Sequence, residues 1–287
     1  MRVRLLGTAA GGGVPQWNCA CDGCARARAA GVNRTQDCVA VSGDSRAWFL
    51  LNASPDLRTQ LAATPELAPG PGRRDTPLRG VLLSTAELDH TLGLLTLREA
   101  SALTLYGSGC VLNALAGPFP MQPILAQYTT LHCTAIEPGA AIDLDGGLRA
   151  QALTVGSKRP RYAEGLPGDD WVLAYRMSDP RTGGVLVYAP CLPAWSPAFA
   201  ELIADAGCVI LDGTFLHEDE LRRCTGGGGT ATSMGHLPIE VSEPLLPRRT
   251  ETRYMYTHLN NTNPVAVPGT ALRLAAEVPA DGTSFEL

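Results

Sequence analysis

Residues 80–95 read GVLLSTAELDHTLGLL. Gly80–Leu83 is an apolar run of strand length, and the stretch Leu92–Ala100 behind it has helical character. Between them lies the polar turn Ser84–His90, which ends in a carboxylate and an imidazole, Asp89 and His90. Neighbours on a regular element point apart, but at a strand-to-helix turn both side chains can reach one centre. A carboxylate with an imidazole suits Fe(II), Zn(II) or Mn(II). The blander local account, Asp89 and His90 as caps of a helix beginning at Thr91, has to be weighed against the other strand ends.

Those strand ends repeat the pattern. Gly184–Tyr188 (GVLVY) runs into Pro190-Cys191, Cys208–Leu211 (CVIL) into Asp212-Gly213-Thr214, and Tyr254–Thr257 into HLNNTNP, His258–Pro264. Apolar runs of this kind belong to sheets covered on both faces, whose sites gather where loops leave the carboxyl ends of the strands. Further strands are expected at Val3–Leu6, Ala47–Leu51, Leu103–Tyr106 and Leu148–Val155, with a helix over Ala198–Ala206 and a Pro/Gly-rich loop over Thr64–Pro77. Strands and helices alternate along all 287 residues without a linker, which predicts one layered α/β domain, 1–287.

Composition narrows the function. A net charge of -5 without a basic, aromatic-interleaved patch argues against a nucleic-acid partner. No apolar span approaches membrane length, and the N-terminal apolar run is too short for a signal peptide, so a cytoplasmic protein without a membrane partner is expected. The glycine turn in GTAAGGG (Gly7–Gly13) lacks the Lys-Ser/Thr pair of a nucleotide loop. Nine cysteines, an odd number without an export signal, point to thiols rather than disulfides. Cys19, Cys21 and Cys24 lie within six residues and can wrap one face of a tetrahedral zinc, in a loop of about 15–30. Plain burial is expected for most of Cys38, Cys110, Cys133, Cys191, Cys208 and Cys224.

LDHTLGLL (Leu88–Leu95), LDGT (Leu211–Thr214) and THLNNTNP (Thr257–Pro264) resemble segments of the metallo-β-lactamase superfamily. With AAGGGVPQWNCACDGC (Ala9–Cys24), LNASPDL (Leu51–Leu57), LREA (Leu97–Ala100), YAP (Tyr188–Pro190) and MGHLPI (Met234–Ile239), the chain resembles the pyrroloquinoline quinone (PQQ) biosynthesis protein B family. The resemblance implies a metallo-β-lactamase-like αββα four-layer sandwich holding a non-haem iron site. It also implies O2-dependent hydroxylation of a tyrosine in a peptide-derived PQQ precursor. An older reading of the family has it carry PQQ or its precursor.

The chain departs from the wider superfamily in an informative way. The usual HxHxDH would place histidines at 85 and 87, where Thr85 and Glu87 stand. A further histidine is missing after the strand near Val155, and the usual bridging aspartate would fall near Cys191. The surviving half of the two-metal site is Asp89, His90 and His258, with Asp212 able to add a carboxylate. Such a set resembles that of non-haem Fe(II) oxygenases, whereas two-metal hydrolysis needs a second ion. Fe(II) is thus expected in the active site, with zinc and mononuclear hydrolysis as the alternative, and one structural zinc at the cysteines.

Other residues carry further expectations, some from the resemblance and some from their own chemistry. His236 stands where related hydrolases carry a catalytic histidine, and is expected to contact substrate or move a proton. His217, in the charged run HEDE, is expected to be solvated. Cys191, Asn260 and Arg34 are candidate substrate contacts, Arg34 as an anion site near the mouth, and Cys191 could also serve as a soft metal ligand. For the fourth zinc corner, a related phosphonate-pathway phosphodiesterase has a histidine where Asn261 stands, which leaves His132, Cys38, Cys224 or water as alternatives. The expected partners are a small peptide-derived substrate and O2, with a homodimer as the candidate assembly.

Overall fold

The computed structural model of the chain describes residues 1–270 and 272–287. Strands β1 (Arg2–Gly7), β2 (Cys38–Ser42), β3 (Trp48–Leu51), β4 (Leu78–Leu82), β5 (Ala102–Gly107) and β6 (Thr130–Ala135) build the first sheet. The second comprises β7 (Ala141–Asp143), β8 (Arg149–Gly156), β9 (Val172–Asp179), β10 (Gly184–Ala189), β11 (Cys208–Asp212) and β12 (Arg253–Thr257), and a last strand, β13 (Ser284–Glu286), returns to pair with β1. The strand orders are β13-β1-β2-β3-β4-β5-β6 and β12-β11-β10-β9-β8-β7.

Period-two alternation explains why so many of these strands are apolar throughout. Phe49 and Leu51 of β3 pack with Tyr175, Leu186, Tyr188, Ile210 and Met255 between the sheets. Their neighbours Trp48 and Leu50 face outward onto Leu57, Leu94 and Leu115 of the first helical layer. Val185, Val187, Val209 and Leu211 face the opposite way, onto Phe199, Ile203 and Ile239. Helix, sheet, sheet and helix thus form four layers, the expected αββα sandwich. Each fully buried aliphatic side chain contributes about 1.5–3 kcal/mol.

β3, β4, β5 and β6 run parallel, as do β10, β11 and β12. Several carboxyl ends therefore meet at one rim of the sandwich, where Asn52 ties the sheets together. Its backbone sits at φ +65, a conformation that asparagine tolerates better than most residues. Its Oδ1 accepts from the Ser84 N–H at 2.9 Å, and its Nδ2 donates to the Tyr188 hydroxyl at 2.9 Å. Tyr188 in turn donates to Asp37, which also accepts from Thr257 beside His258. All of these groups are buried.

The structure corrects some sequence expectations. Leu92–Glu99 is a 3-10 helix that follows a single α-turn, Leu88–Thr91, and the helix expected over Ala198–Ala206 spans Pro197–Leu202. Strands β2, β6, β7, β9 and β13 were not anticipated. β6 and β7 carry mostly exposed side chains and so lack the long apolar run that marks a covered strand. Of the dispersed cysteines, Cys38, Cys191 and Cys208 are buried, Cys110 is partly covered, and Cys133 and Cys224 are exposed. No helix among the described residues is long and apolar enough to cross a membrane.

Replacing Asn52 with Ala should destabilise the protein by about 2 kcal/mol or more, because two buried partners lose their bonds and alanine is strained at positive φ. Urea denaturation should show a lower midpoint, with Asn52→Gly intermediate because only the backbone strain is relieved.

Candidate active site and cysteine cluster

The rim holds Asp89 and His90 after β4, Cys191 after β10, Asp212 at the end of β11 and His258 after β12. Asp89 does not cap the short helix Leu88–Thr91; Glu87 occupies the cap position. His90 is 1% exposed, and its Nδ1 lies 2.8 Å from Thr85 Oγ1. Its Nε2 is buried and has no hydrogen-bond partner. With Nδ1–H on the threonine, Nε2 carries a free lone pair, the state in which imidazole binds a metal. Burial pushes His90 down to about 4, which keeps the ring neutral.

His258 takes the left-handed conformation, φ 55, which turns its ring back over the rim. Its Nδ1 is 2.8 Å from Thr214 Oγ1, and its Nε2 is 3.2 Å from Asp89 Oδ2. Burial works to raise the Asp89 carboxyl, but the His90 and His258 imidazoles outweigh it and hold the group well below the usual range. Burial lowers His258, yet its hydrogen bond and charge interaction with Asp89 reverse the sign. A proton shared by this pair is what a divalent cation would displace. The orphaned Nε2 of His90, the Asp89 carboxylate and His258 together fit a metal.

Asp212, the carboxylate that the sequence offered as an additional ligand, is also held by several donors. Its Oδ1 accepts from the Thr214 N–H at 3.0 Å and the Thr214 hydroxyl at 2.7 Å, and its Oδ2 accepts from the Leu192 N–H at 2.8 Å. His236 Nδ1 is a further 2.8 Å contact of the same Oδ2. These donors leave Asp212 orienting His236 directly and His258 through Thr214, although it stays close enough to both rings to share a cation. With Nδ1–H on Asp212, His236 presents Nε2 as a proton acceptor. The His236 and His258 rings stack at 5.4 Å.

A cavity of about 680 Å³ opens above these groups. Leu88, Leu92, Tyr162, Phe215 and Met234 give it apolar walls, and Glu87, Lys158, Arg161, Cys191 and Asn260 add polar ones. Arg34 is not part of it. Its side chain is buried and donates to the carbonyls of Ala266 and Pro279 and to the Thr8 hydroxyl, so the anion site expected near the mouth gives way to an internal staple of three loops. His217 is partly exposed and paired with Glu240 at 2.7 Å.

Cys19, Cys21 and Cys24 bring their sulfurs within 4.8 Å of one another. Asn261 Nδ2 lies 3.1, 3.6 and 3.3 Å from the three, which puts its carboxamide at the remaining corner. Cys38, a sequence-based alternative for that corner, instead bonds the Asn52 carbonyl at 3.3 Å. The sequence reading gave no role to Thr85, Thr214 or Asn52. A hydroxyl that orients an imidazole has no spacing signature of its own.

Zinc held at the cysteines would add directly to folding free energy. Cys21→Ser should therefore lose one equivalent of zinc by mass spectrometry of metals and lower the unfolding temperature. His90→Ala should keep that zinc and the fold while losing the rim metal.

A model of the beta-lactamase superfamily domain matches residues 47–259. The chain is 38% identical to coenzyme PQQ synthesis protein B of Bradyrhizobium diazoefficiens, over 100% of both chains. It is also 38% identical to the protein of that name from Azoarcus sp., covering 98% of this chain and 96% of the other. The crystal structure of Zn(2+)-bound PqqB from Methylobacterium extorquens matches with a TM-score of 0.90 at 33% identity, over 100% of each chain. A diphosphatase from the PhnP family shares the fold, with a TM-score of 0.71 at 18% identity over 100% of this chain and 97% of that one. Identity at that level along the whole of both chains, on one common fold, places this chain in the coenzyme PQQ synthesis protein B family of the beta-lactamase superfamily.

Proposed function

We propose that the chain acts in PQQ biosynthesis as a non-haem Fe(II)-dependent hydroxylase that uses O2 to oxidise a tyrosine ring in a peptide-derived precursor. The observation that carries this reading is that the rim lacks the further imidazoles of the usual two-metal site, with Thr85 and Glu87 in their places. Thr85 bonds the back of His90, and Glu87 and Lys158 line the cavity where further imidazoles would complete a second site. A hydrolase that clamps both the attacking and the leaving oxygen uses that second ion. Two imidazoles with a carboxylate and open positions suit mononuclear Fe(II) and oxygen chemistry. Asp89, His90 and His258 would hold the iron, which when bound supplies the redox chemistry with dioxygen. The cysteine cluster would hold a structural zinc, with Asn261 beside it.

The residues around the cavity divide the remaining work. Apolar walls exclude water and seat the aromatic ring, while Lys158 and Arg161 offer charge to its carboxylates. His236, oriented by Asp212, takes the phenolic proton on Nε2. One oxygen atom of O2 enters the ring and the other leaves as water, with two electrons from an external reductant. A carrier would use the same cavity, but it would have no use for the Asp212–His236 pair beside a metal site.

The test is anaerobic reconstitution with Fe(II), a reductant and a tyrosine-bearing peptide, followed by labelled O2 and mass spectrometry. Label should enter the ring, and His236→Ala should retain iron while turning over about 10²–10⁴-fold more slowly, the usual contribution of a positioned acid–base group. Product without label, or equal turnover with zinc and no O2, would favour the hydrolase.

A further inference from the structure

Cys191 sits just past β10 with 8% of its surface exposed. Its Sγ and one ring nitrogen each of His90 and His258 all lie within 4.8 Å of one another. Among the described residues its thiol makes no hydrogen bond, in contrast to Cys38, whose thiol donates to the Asn52 carbonyl. The nearby His90 Nε2 is buried and equally without a partner. A thiol and a bare imidazole nitrogen thus share one enclosed space, each lacking the contact that burial normally demands.

We infer that Cys191 is a ligand of the rim metal, its thiolate joining His90, His258 and Asp89. The inference rests on the proposed metal site and adds a sulfur donor to it. On binding, the S–H bond breaks, a sulfur–metal bond forms and the proton passes to solvent. Burial and the surrounding carboxylates, led by Asp212, push the free thiol well above its ordinary range. A divalent cation reverses that balance, because a coordinating thiol is deprotonated outright. One soft sulfur beside two nitrogens and an oxygen favours zinc, iron or cadmium over magnesium or manganese.

Cadmium-113 NMR separates the two metal centres of the intact protein. Zinc-depleted chain reloaded with ¹¹³Cd should give one resonance far downfield from the three-sulfur cluster and a second at intermediate shift from the rim. His90→Ala identifies the second by abolishing it. Cys191→Ser and Cys191→Ala should move the second resonance upfield and leave the first in place. Zinc affinity at the rim should fall about 10-fold or more, since even groups that merely orient a ligand are worth 10–100-fold. A rim resonance at the same position in wild type and both variants would overturn the thiolate assignment while leaving the rim metal intact. A wild-type spectrum with the cluster signal alone would instead overturn the rim metal itself.

Discussion

A buried imidazole nitrogen without a partner costs about 1–3 kcal/mol, and the rim of this sandwich is arranged around one. His90 Nε2 is the lone buried side-chain nitrogen or oxygen of the described rim that nothing in the protein satisfies. Thr85 holds the other nitrogen of the ring and fixes the direction in which the free one points. A cation is the natural partner, and the neighbouring acid, imidazole and thiol are placed to share it. The strand ends, the threonines and the strained backbone of His258 all act to keep that arrangement from relaxing.

Threonine does much of the orienting. Thr214 touches Asp212, His236 and His258 at once, so one hydroxyl couples the group that would move a proton to the group that would hold the metal. Thr85 does the same for His90. In the wider superfamily, position 85 would carry a metal ligand. Here the hydroxyl bonds the Nδ1 of His90 instead and keeps that imidazole rigid.

A short segment links the cysteine cluster and the rim. His258 and Asn261 lie three residues apart, one facing the rim and the other facing Cys19, Cys21 and Cys24. Asn260 between them donates its backbone N–H to the Thr214 carbonyl at 3.0 Å, and Asn263 donates its side chain to the Gly213 carbonyl at 2.8 Å. Zinc at the cysteines would therefore stiffen the loop that aims His258. This gives the cluster a part in the geometry of the active site, although no sulfur of the cluster enters the cavity.

The sequence by itself determined the class of the fold, because wholly apolar strands such as GVLVY and CVIL can only be covered on both faces. It also determined the rim candidates Asp89, His90, Asp212 and His258, because polar residues directly after such strands have nowhere to go but the sheet edge. Resemblance brought His236 into view. Edge strands β6 and β7 escaped notice, since exposed strands need no apolar run. Tertiary structure alone decided that Arg34 staples loops, that Asp212 bonds His236 and Thr214, and that Cys191 meets His90 and His258. The reason is physical: spacing along a chain fixes which face of an element a side chain takes, but partners separated by 67 or 101 residues, the intervals from Cys191 to His258 and to His90, meet only where packing brings their strands to one rim.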